Sequence, residues 1–175
     1  MTTPLYIFDL DGTLADLRHR RHFVERPMID CEGCLHRHNE HKCQLCDKRH
    51  PFKPNWDAFH AACVNDTPIV PMITLLVSLA RSGADIWVWS GRMETVRDET
   101  IQWFEQYDIL HLLKGLRMRP AKDYTVDHEL KQSWLQSITP ADRRRLVCVF
   151  DDRQQVVNMW RRNGLVCCQV APGDF

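Results

Sequence analysis

The chain has 175 residues, of which 44% are hydrophobic and 26% are charged, a length and composition that suit one globular domain and exclude a largely disordered chain. Its 23 Lys and Arg residues balance its 23 Asp and Glu residues. A protein that coats duplex nucleic acid with basic side chains is therefore not expected. A neutral chain can still bind a nucleic-acid end or a single nucleotide.

The first predicted element is the apolar run "LYIFD" at 5–9, which indicates a buried strand. Asp9 ends this run, Asp11 follows two residues later, and Gly12 permits a sharp turn. Residues two apart on an extended backbone face the same way. One carboxylate of such a pair can attack phosphorus while the other handles a proton. An Asx turn at a strand end is the alternative.

The segment "CEGCLHRHNEHKCQLC" at 31–46 contains two CxxC pairs separated by eight residues. Four thiolates at this spacing predict a structural zinc site in which every coordination position is filled. A redox-active pair and free reduced thiols are the alternatives, and a histidine can replace one cysteine. The segment has little apolar content, so bound metal would supply most of its folding energy. The predicted zinc ligands are Cys31, Cys34, Cys43 and Cys46.

We interpret residues 18–55 as a cap-like insertion within a single domain that spans 1–175. Two basic stretches flank the cysteines, "RHRRH" at 18–22 and "KRHPFK" at 48–53. They suit contact with substrate phosphates or a polynucleotide backbone, and solvated loops are the alternative. Trp56, beside the insertion, is a candidate for stacking on a base.

The rest of the chain alternates between strand and helix patterns. Apolar runs predict strands at 85–90, 115–119, 145–152 and 165–171. Helical patterns fall at 56–64, 69–83, 93–107, 125–138 and 153–164, with Thr125 as a candidate N-cap. This alternation predicts an α/β domain with a mainly parallel sheet.

Polar residues follow the predicted strands, where an open α/β sheet binds its ligands. A cluster of acids at one sheet edge is unfavourable unless a cation neutralises it. Oxygen ligands suit Mg²⁺, which often acts on phosphate substrates. These residues are Asp9, Asp11, Ser90, Arg92, Arg119, Asp151 and Asp152.

Four short motifs resemble those of the haloacid dehalogenase (HAD) phosphatase superfamily. "FDLDGTL" resembles its first motif, "WSGR" its second, Lys131 its third and "VFDDR" its fourth. The combination is more similar still to the 3'-phosphatase domain of bacteriophage-type polynucleotide kinase, as is the C-terminal "DDRQQVVNMWRR…GDF". Outside 18–55, the resemblance covers most of the chain and implies a HAD-like (Rossmannoid) three-layer fold.

The resemblance also implies roles for individual residues. Asp9 would be the nucleophile that forms an aspartyl-phosphate, and Asp11 would protonate the leaving oxygen and then activate water. Ser90 would donate a hydrogen bond to the phosphate, and Lys131 would stabilise its charge. By themselves, Ser90 is also consistent with a helix cap and Lys131 with a solvated helix position.

Metal and substrate binding are implied in the same way. Mg²⁺ would be held by Asp9, the backbone carbonyl of Asp11 and Asp151, with Asp152 supporting them. Gly91, Arg92 and Arg119 would join Ser90 and Lys131 in binding substrate, although a surface position is the alternative for Arg119.

The predicted function is a Mg²⁺-dependent phosphatase that removes 3'-phosphate from DNA or RNA ends, in nucleic-acid repair. A nucleotidase or small-molecule phosphatase is the first alternative, and an inactive zinc-knuckle nucleic-acid-binding protein is the second. No GxxxxGK[ST] motif occurs, so kinase activity is not expected and a separate kinase or ligase is a candidate partner. We expect a soluble cytoplasmic protein, because no secretory signal or membrane-length apolar run is found. In a reducing cytosol the eight cysteines are not expected to form disulfides, which leaves metal binding, core packing or catalysis.

Overall fold

The protein is represented by a computed structural model, which describes residues 2–27, 29–31, 36–38 and 51–173. Five parallel strands form the main sheet in the order β7-β6-β1-β8-β9, and two pairs of short strands, β2-β5 and β3-β4, are antiparallel. The strands are β1 (Leu5–Phe8), β2 (Ala15–Asp16), β3 (Ile29–Cys31), β4 (His36–His38), β5 (Thr67–Pro68), β6 (Asp85–Met93), β7 (Leu113–Arg119), β8 (Leu146–Arg153) and β9 (Cys167–Gly173).

Helices connect the strands of the main sheet. Within the described ranges, four short 3₁₀ helices span Arg18–Phe23, Ala62–Asn65, Glu94–Val96 and Leu110–Leu112. The α-helices are α1 (Trp56–Ala61), α2 (Val70–Arg81), α3 (Arg97–Gln106), α4 (Asp127–Ser137), α5 (Pro140–Arg145) and α6 (Gln154–Arg162).

Two hydrophobic layers cover the two faces of the sheet, and β1 contributes to both. Leu5 and Ile7 pack in one layer with Val156 and Trp160 of α6, whereas Phe8 packs in the other with residues of α2 and α3. Successive side chains of a strand point to opposite faces, so a central strand must be apolar at nearly every position. The three-layer α/β arrangement with a parallel sheet confirms the predicted fold class.

Three local predictions differ from the structure. Val126, not Thr125, is the N-cap residue of α4, and it makes no capping hydrogen bond through its side chain. Helix α5 was not predicted; the Thr139 hydroxyl caps it by accepting from the Asp142 amide at 3.0 Å. Cys168 lies in the apolar run at 165–171, which suggests burial, but it is exposed on β9, an edge strand of the described sheet.

Within the described residues, no helix is both long enough and apolar enough to cross a membrane.

Candidate active site

Parallel strands bring the predicted catalytic residues to one edge of the sheet. Strand β1 pairs with both β6 and β8, and this register places Phe8 opposite Val88 and Phe150. Asp9 and Asp151 come directly after Phe8 and Phe150. The Asp9 amide donates to the Phe150 carbonyl at 2.9 Å and holds the two strand ends together. Two neighbouring strands therefore deliver one carboxylate each to the same point.

Three buried carboxylates, those of Asp9, Asp151 and Asp152, form what we call the acidic cluster. One oxygen of each lies within 4.8 Å of the others. The Lys131 ammonium, on α4, donates to Oδ1 of Asp9 at 2.6 Å and to Oδ2 of Asp151 at 2.8 Å. Oδ1 of Asp152 is buried and has no hydrogen-bond partner among the described residues. One ammonium leaves two negative charges uncompensated, so the cluster suits a further cation.

The pKa values of these groups reflect the same excess of negative charge in the acidic cluster. Burial, together with the charges of Asp151 and Asp152, raises the pKa of Asp9 well above its ordinary value, although Lys131 opposes the rise. Burial and the charge of Asp151 raise the pKa of Asp152 to about 6. Burial alone would lower the pKa of Lys131, but Asp151 and Asp9 raise it, so the ammonium stays charged. The cluster therefore favours an added positive charge, whether proton or metal.

Gly12 allows the chain to turn directly over the acidic cluster. Its φ is +86°, and a Cβ at this position would lie 2.2 Å from Oδ2 of Asp152. Any side chain here would be strained by the backbone and would collide with that carboxylate. The turn thus keeps Asp11 close to Asp152.

Asp11 lies in a second group of charges, the arginine network, which comprises Asp11, Arg20, Asp66 and Arg92. Arg20 donates to Oδ1 of Asp11 at 2.8 Å and, through Nε, to Oδ1 of Asp66 at 2.7 Å. Arg92 donates through Nε to Oδ1 of Asp11 at 2.9 Å and also binds Asp66. Arg20, Asp66 and Arg92 are at most 1% exposed. Two guanidiniums and two carboxylates balance one another, as buried charges require.

The arginine network changes the acidity of Asp11 in the direction opposite to that of Asp9. Burial would raise the pKa of Asp11, but the guanidiniums of Arg92 and Arg20 outweigh it and lower the pKa below its ordinary value. Asp11 is therefore a carboxylate at neutral pH in the ligand-free protein.

Asp66 ties the arginine network to the hydrophobic core. Its carbonyl oxygen accepts hydrogen bonds from Nε1 of Trp103 at 2.7 Å and from the Tyr107 hydroxyl at 3.3 Å. Nε2 of His19 lies 2.8 Å from its Oδ1. Since Trp103 is fully buried, the position of Asp66 is set by core packing.

Ser90, Gly91 and Arg92 form the end of β6. Ser90 is fully buried, and its hydroxyl oxygen accepts the Arg92 amide at 3.1 Å. Arg119 donates through Nε to the Gly91 carbonyl at 3.0 Å and also binds Asp127. A Cβ at Gly91 would lie 2.8 Å from Oδ1 of Asp127. The Arg119 guanidinium is therefore already engaged, and it braces the C-terminal part of β6.

A family model described as "Polynucleotide kinase PNKP phosphatase domain" matches residues 27–175. This stretch includes Ser90, Lys131 and the two acids of β8, while Asp9 and Asp11 lie before it. The chain belongs to this family of polynucleotide kinase phosphatase domains. The predicted membership is thereby confirmed.

Solved structures share the fold of this PNKP-type phosphatase domain. One is a chain in "Structure of the Pnkp1/Rnl/Hen1 RNA repair complex", with 27% identity and a TM-score of 0.68 over 99% of our chain and 44% of that one. Another is the haloacid dehalogenase-like hydrolase SP0104 from Streptococcus pneumoniae (15% identity, TM-score 0.58, covering 94% and 83%). A third is the HAD-hydrolase YfnB from Bacillus subtilis, bound to magnesium (10% identity, TM-score 0.61, covering 96% and 88%).

The phosphatase domain described here thus spans less than half of the Pnkp1-complex chain that it matches. The HAD-like fold and the classification as a phosphatase are both confirmed.

Two residues of the site in this PNKP-type domain, Arg20 and Asp66, were not predicted from the sequence. Arg20 was assigned to the basic stretch flanking the insertion, yet its side chain is fully buried between Asp11 and Asp66. Asp66 was given no role. The partners of Asp66 are 46 and 26 residues away, so no local pattern could indicate the pairing.

The predicted zinc site lies almost wholly outside the described residues. Cys34, Cys43 and Cys46 fall there, and of Cys31 only the backbone is described, in β3. β3 and β4 pair antiparallel with Cys31 opposite His36, so Cys34 lies in the connection between them. The zinc site stays a prediction.

Proposed function

We propose that this phosphatase domain removes 3'-phosphate from DNA or RNA ends, in a Mg²⁺-dependent reaction that passes through an aspartyl-phosphate on Asp9. The acidic cluster carries the proposal: three buried carboxylates within 4.8 Å and a bridging lysine, in a chain of the PNKP phosphatase family. Both the cluster and the family point to phosphoryl transfer.

The residues of the acidic cluster fit a bound Mg²⁺. All three are oxygen donors, and one oxygen of Asp152 is buried without a partner in the described part of the chain. Asp9, Asp151 and Asp152 would hold the ion, together with the Asp11 carbonyl. When bound, Mg²⁺ neutralises charge on the carboxylates and on the phosphate oxygens.

Asp9 is the proposed nucleophile. Lys131 holds its Oδ1, which orients the carboxylate and leaves Oδ2 to approach phosphorus. A bond forms between the Asp9 oxygen and phosphorus while the bond to the sugar oxygen breaks. Water then attacks the phosphorus, inorganic phosphate leaves and the Asp9 carboxylate is restored. Lys131 remains a cation throughout and offsets the charge that develops.

Asp11 is the proposed acid and base. The arginine network lowers its pKa, so the free protein has Asp11 in the form that accepts a proton from water in the second step. The first step needs Asp11 protonated. A phosphate dianion beside it would repel the carboxylate and compete for the guanidiniums of Arg20 and Arg92, and both effects raise the pKa of Asp11. Substrate binding would therefore favour the protonated form of Asp11, which is the acid that the first step needs.

The phosphate is proposed to bind Ser90, Gly91 and Arg92, because these residues lie at the strand ends that also carry Asp9 and Asp11. The Ser90 hydroxyl accepts from the Arg92 amide, so its proton is free to donate to a phosphate oxygen. Arg119 is proposed to position the end of β6 through the Gly91 carbonyl.

A nucleic-acid end is the proposed substrate because the family is that of polynucleotide kinase phosphatase domains. One similar chain belongs to an RNA repair complex with Rnl and Hen1. We propose by analogy that a separate kinase or ligase acts with this chain, which has no GxxxxGK[ST] motif.

A free nucleotide or another small phosphate ester is the second candidate substrate, and the net charge of zero is compatible with it. A cytoplasmic location remains our prediction.

We also propose that Cys31, Cys34, Cys43 and Cys46 bind one structural Zn²⁺. The antiparallel pairing of Cys31 with His36 supports this, because it brings two residues of ligand type in this segment onto adjacent strands. One equivalent of zinc in the purified protein, lost on replacing Cys43 and Cys46 by serine, is the expected result. Metal content measured by mass spectrometry, rather than activity, tests this.

The test of function is phosphate release, in Mg²⁺, from a 3'-phosphorylated oligonucleotide, its 5'-phosphorylated counterpart, and free 3'- and 5'-mononucleotides. We expect the highest kcat/KM for the 3'-phosphorylated oligonucleotide. Preference for mononucleotides would replace the proposal with a nucleotidase. Phosphate release that survives Asp9→Asn would contradict the assigned nucleophile.

A further inference from the structure

An exposed aromatic surface beside the arginine network has no part in the chemistry above. Trp56, the first residue of α1, is 55% exposed. Its ring packs edge-on against Phe59, with centres 5.6 Å apart, and tilts over His60 at 6.2 Å. We call these three residues the aromatic ledge. One exposed side chain is ordinary on a protein surface. The contacts of the ledge with the arginine network distinguish it from such a side chain.

The aromatic ledge is joined to Asp11 through a single side chain. The guanidinium carbon of Arg20 lies 4.2 Å from the centre of the Phe59 ring. Arg20 also donates to the Phe59 carbonyl at 3.3 Å and to Oδ1 of Asp11 at 2.8 Å. The exposed indole therefore lies only two side chains away from the proposed proton donor to the leaving oxygen.

His60 adds an unpaired polar atom to the ledge. Its Nδ1 is buried and has no hydrogen-bond partner among the described residues. Burial lowers its pKa, and the charges of Arg20, Arg92 and Arg119 lower it further, although Asp11 acts in the opposite direction. A neutral imidazole is suited to an uncharged polar group and not to a phosphate.

Two hydrogen bonds anchor the start of α1, the helix that carries the ledge. The Asn55 side chain caps α1 by accepting from the Ala58 amide at 3.0 Å, and the Asn55 amide donates to the Phe23 carbonyl at 2.8 Å. An aromatic side chain fixed before binding loses little conformational entropy when a flat ligand covers it.

We propose that the aromatic ledge is a subsite for the base of the nucleotide that carries the scissile phosphate. The base stacks on the exposed part of Trp56, and Nδ1 of His60 meets a polar group of the same nucleoside. A nucleobase fits because it combines a flat π-face with uncharged polar edges. The inference rests on the proposed function and deepens it: the enzyme recognises the terminal nucleoside as well as the phosphate. Stacking tolerates any base, so little preference among the four is expected.

The test compares two 3'-phosphorylated oligonucleotides that differ only in whether the terminal sugar carries a base. We expect wild-type protein in Mg²⁺ to prefer the base-bearing end in kcat/KM. Trp56→Ala should reduce this preference about 10-fold, equivalent to about 1.4 kcal/mol, and Trp56→Phe should retain most of it. Val166→Ala is the matched control, because Val166 is 64% exposed and precedes the edge strand β9, which contributes no residue to the ledge.

Two outcomes would overturn the subsite: equal kcat/KM for the two ends in wild type, or a Trp56→Ala effect that is the same for both. If neither oligonucleotide is hydrolysed, the proposed function fails, and the subsite is tested separately. Calorimetry with Asp9→Asn protein then compares a nucleoside 3'-monophosphate with ribose 3-phosphate. Tighter binding of the nucleotide that Trp56→Ala abolishes supports the subsite, and equal binding of the two ligands overturns it.

Discussion

The acidic cluster and the arginine network are adjacent, both are buried, and they solve the problem of burying charge in opposite ways. The acidic cluster places one ammonium among three carboxylates, whereas the arginine network pairs two guanidiniums with two carboxylates. The first is incomplete without another cation; the second is complete as it is. Asp9 and Asp11 are two residues apart in sequence, but they belong to different clusters and their pKa values move in opposite directions.

This difference assigns separate tasks to the two clusters. The acidic cluster can bind a metal and a phosphate because its charge is not compensated. In the empty protein, its carboxylates repel one another. A self-compensated network contributes structure and holds one acid ready for proton transfer. If the two clusters are as distinct as their charges indicate, substitutions in the acidic cluster and in the arginine network should affect activity and stability differently.

The largest effect is expected from Asp9→Asn. Removal of the nucleophile should lower the rate of phosphate release by at least about 1,000-fold. Unfolding of the Mg²⁺-free protein should be no easier, because one of three repelling carboxylates is gone. Asp108→Asn is the control, since the Asp108 side chain is 96% exposed, and it should behave as wild type. A destabilised Asp9→Asn protein would show that the cluster does not store repulsion.

Asp66→Asn should have the largest effect on stability. It leaves the guanidiniums of Arg20 and Arg92 buried with one carboxylate between them, and the expected loss is about 3–5 kcal/mol in the free energy of unfolding. Urea denaturation measures it. Asp16→Asn breaks the pair with Arg18, whose side chain is 83% exposed, and should cost at most about 1 kcal/mol. Equal losses for the two variants would argue that the arginine network is not structural.

Mg²⁺ should stabilise the protein through the acidic cluster alone. At a concentration 100-fold above its dissociation constant, the ion should add about 2.7 kcal/mol to the free energy of unfolding. Asp151→Asn should remove most of this gain, whereas Asp142→Asn, which alters a surface acid of α5, should not. Urea denaturation in EDTA and in Mg²⁺, at matched ionic strength, provides the comparison. A gain that persists in Asp151→Asn would place the metal elsewhere.

The smallest effect concerns pH in the metal-free protein. The folded-state pKa of Asp152 is about 6, against an ordinary value of 3.8, so between these pH values the folded protein binds a proton that the unfolded chain does not. Its contribution therefore favours folding at low pH and is lost as the pH rises through 6.

On going from pH 7 to pH 5 in EDTA, wild type should gain about 1.3 kcal/mol relative to Asp152→Asn. The lowered pKa of Asp11 acts in the opposite direction, because its contribution is present above its ordinary pKa and is lost in stronger acid. Parallel pH profiles for wild type and Asp152→Asn, measured by urea denaturation, would contradict the assignment.

Much of the acidic cluster was predictable because it depends on local pattern and strand order. The runs before Asp9 and Asp151 are apolar enough to be buried strands, and parallel strands place their carboxyl ends together. The role of Lys131 was predictable only from its resemblance to a known motif, because the sequence of a helix does not show whether a lysine is solvated or buried.

Most of the arginine network was not predictable. Arg20 lies among basic residues that read as a solvated stretch, and its burial depends on Asp66, which lies 46 residues away. Thr125 looked like a helix cap, yet its carbonyl binds Arg119 and its amide donates to Asp123 at 2.8 Å. For Arg20 a distant partner decides the role, whereas for Thr125 the neighbouring Asp123 and Arg119 take the backbone groups of a residue that the local pattern suggests as a cap.

The central position of β1 has a consequence for the order of folding. Leu5 pairs with Asp85 on one side and with Leu146 on the other, so β1 lacks its first neighbour until β6 has been made and its second until β8 has been made. Such distant pairings are slow to form. Asp9 and Asp151 meet only when this last pairing is complete. The return of phosphatase activity during refolding would therefore report the closing of the sheet, and a partly folded chain would be inert.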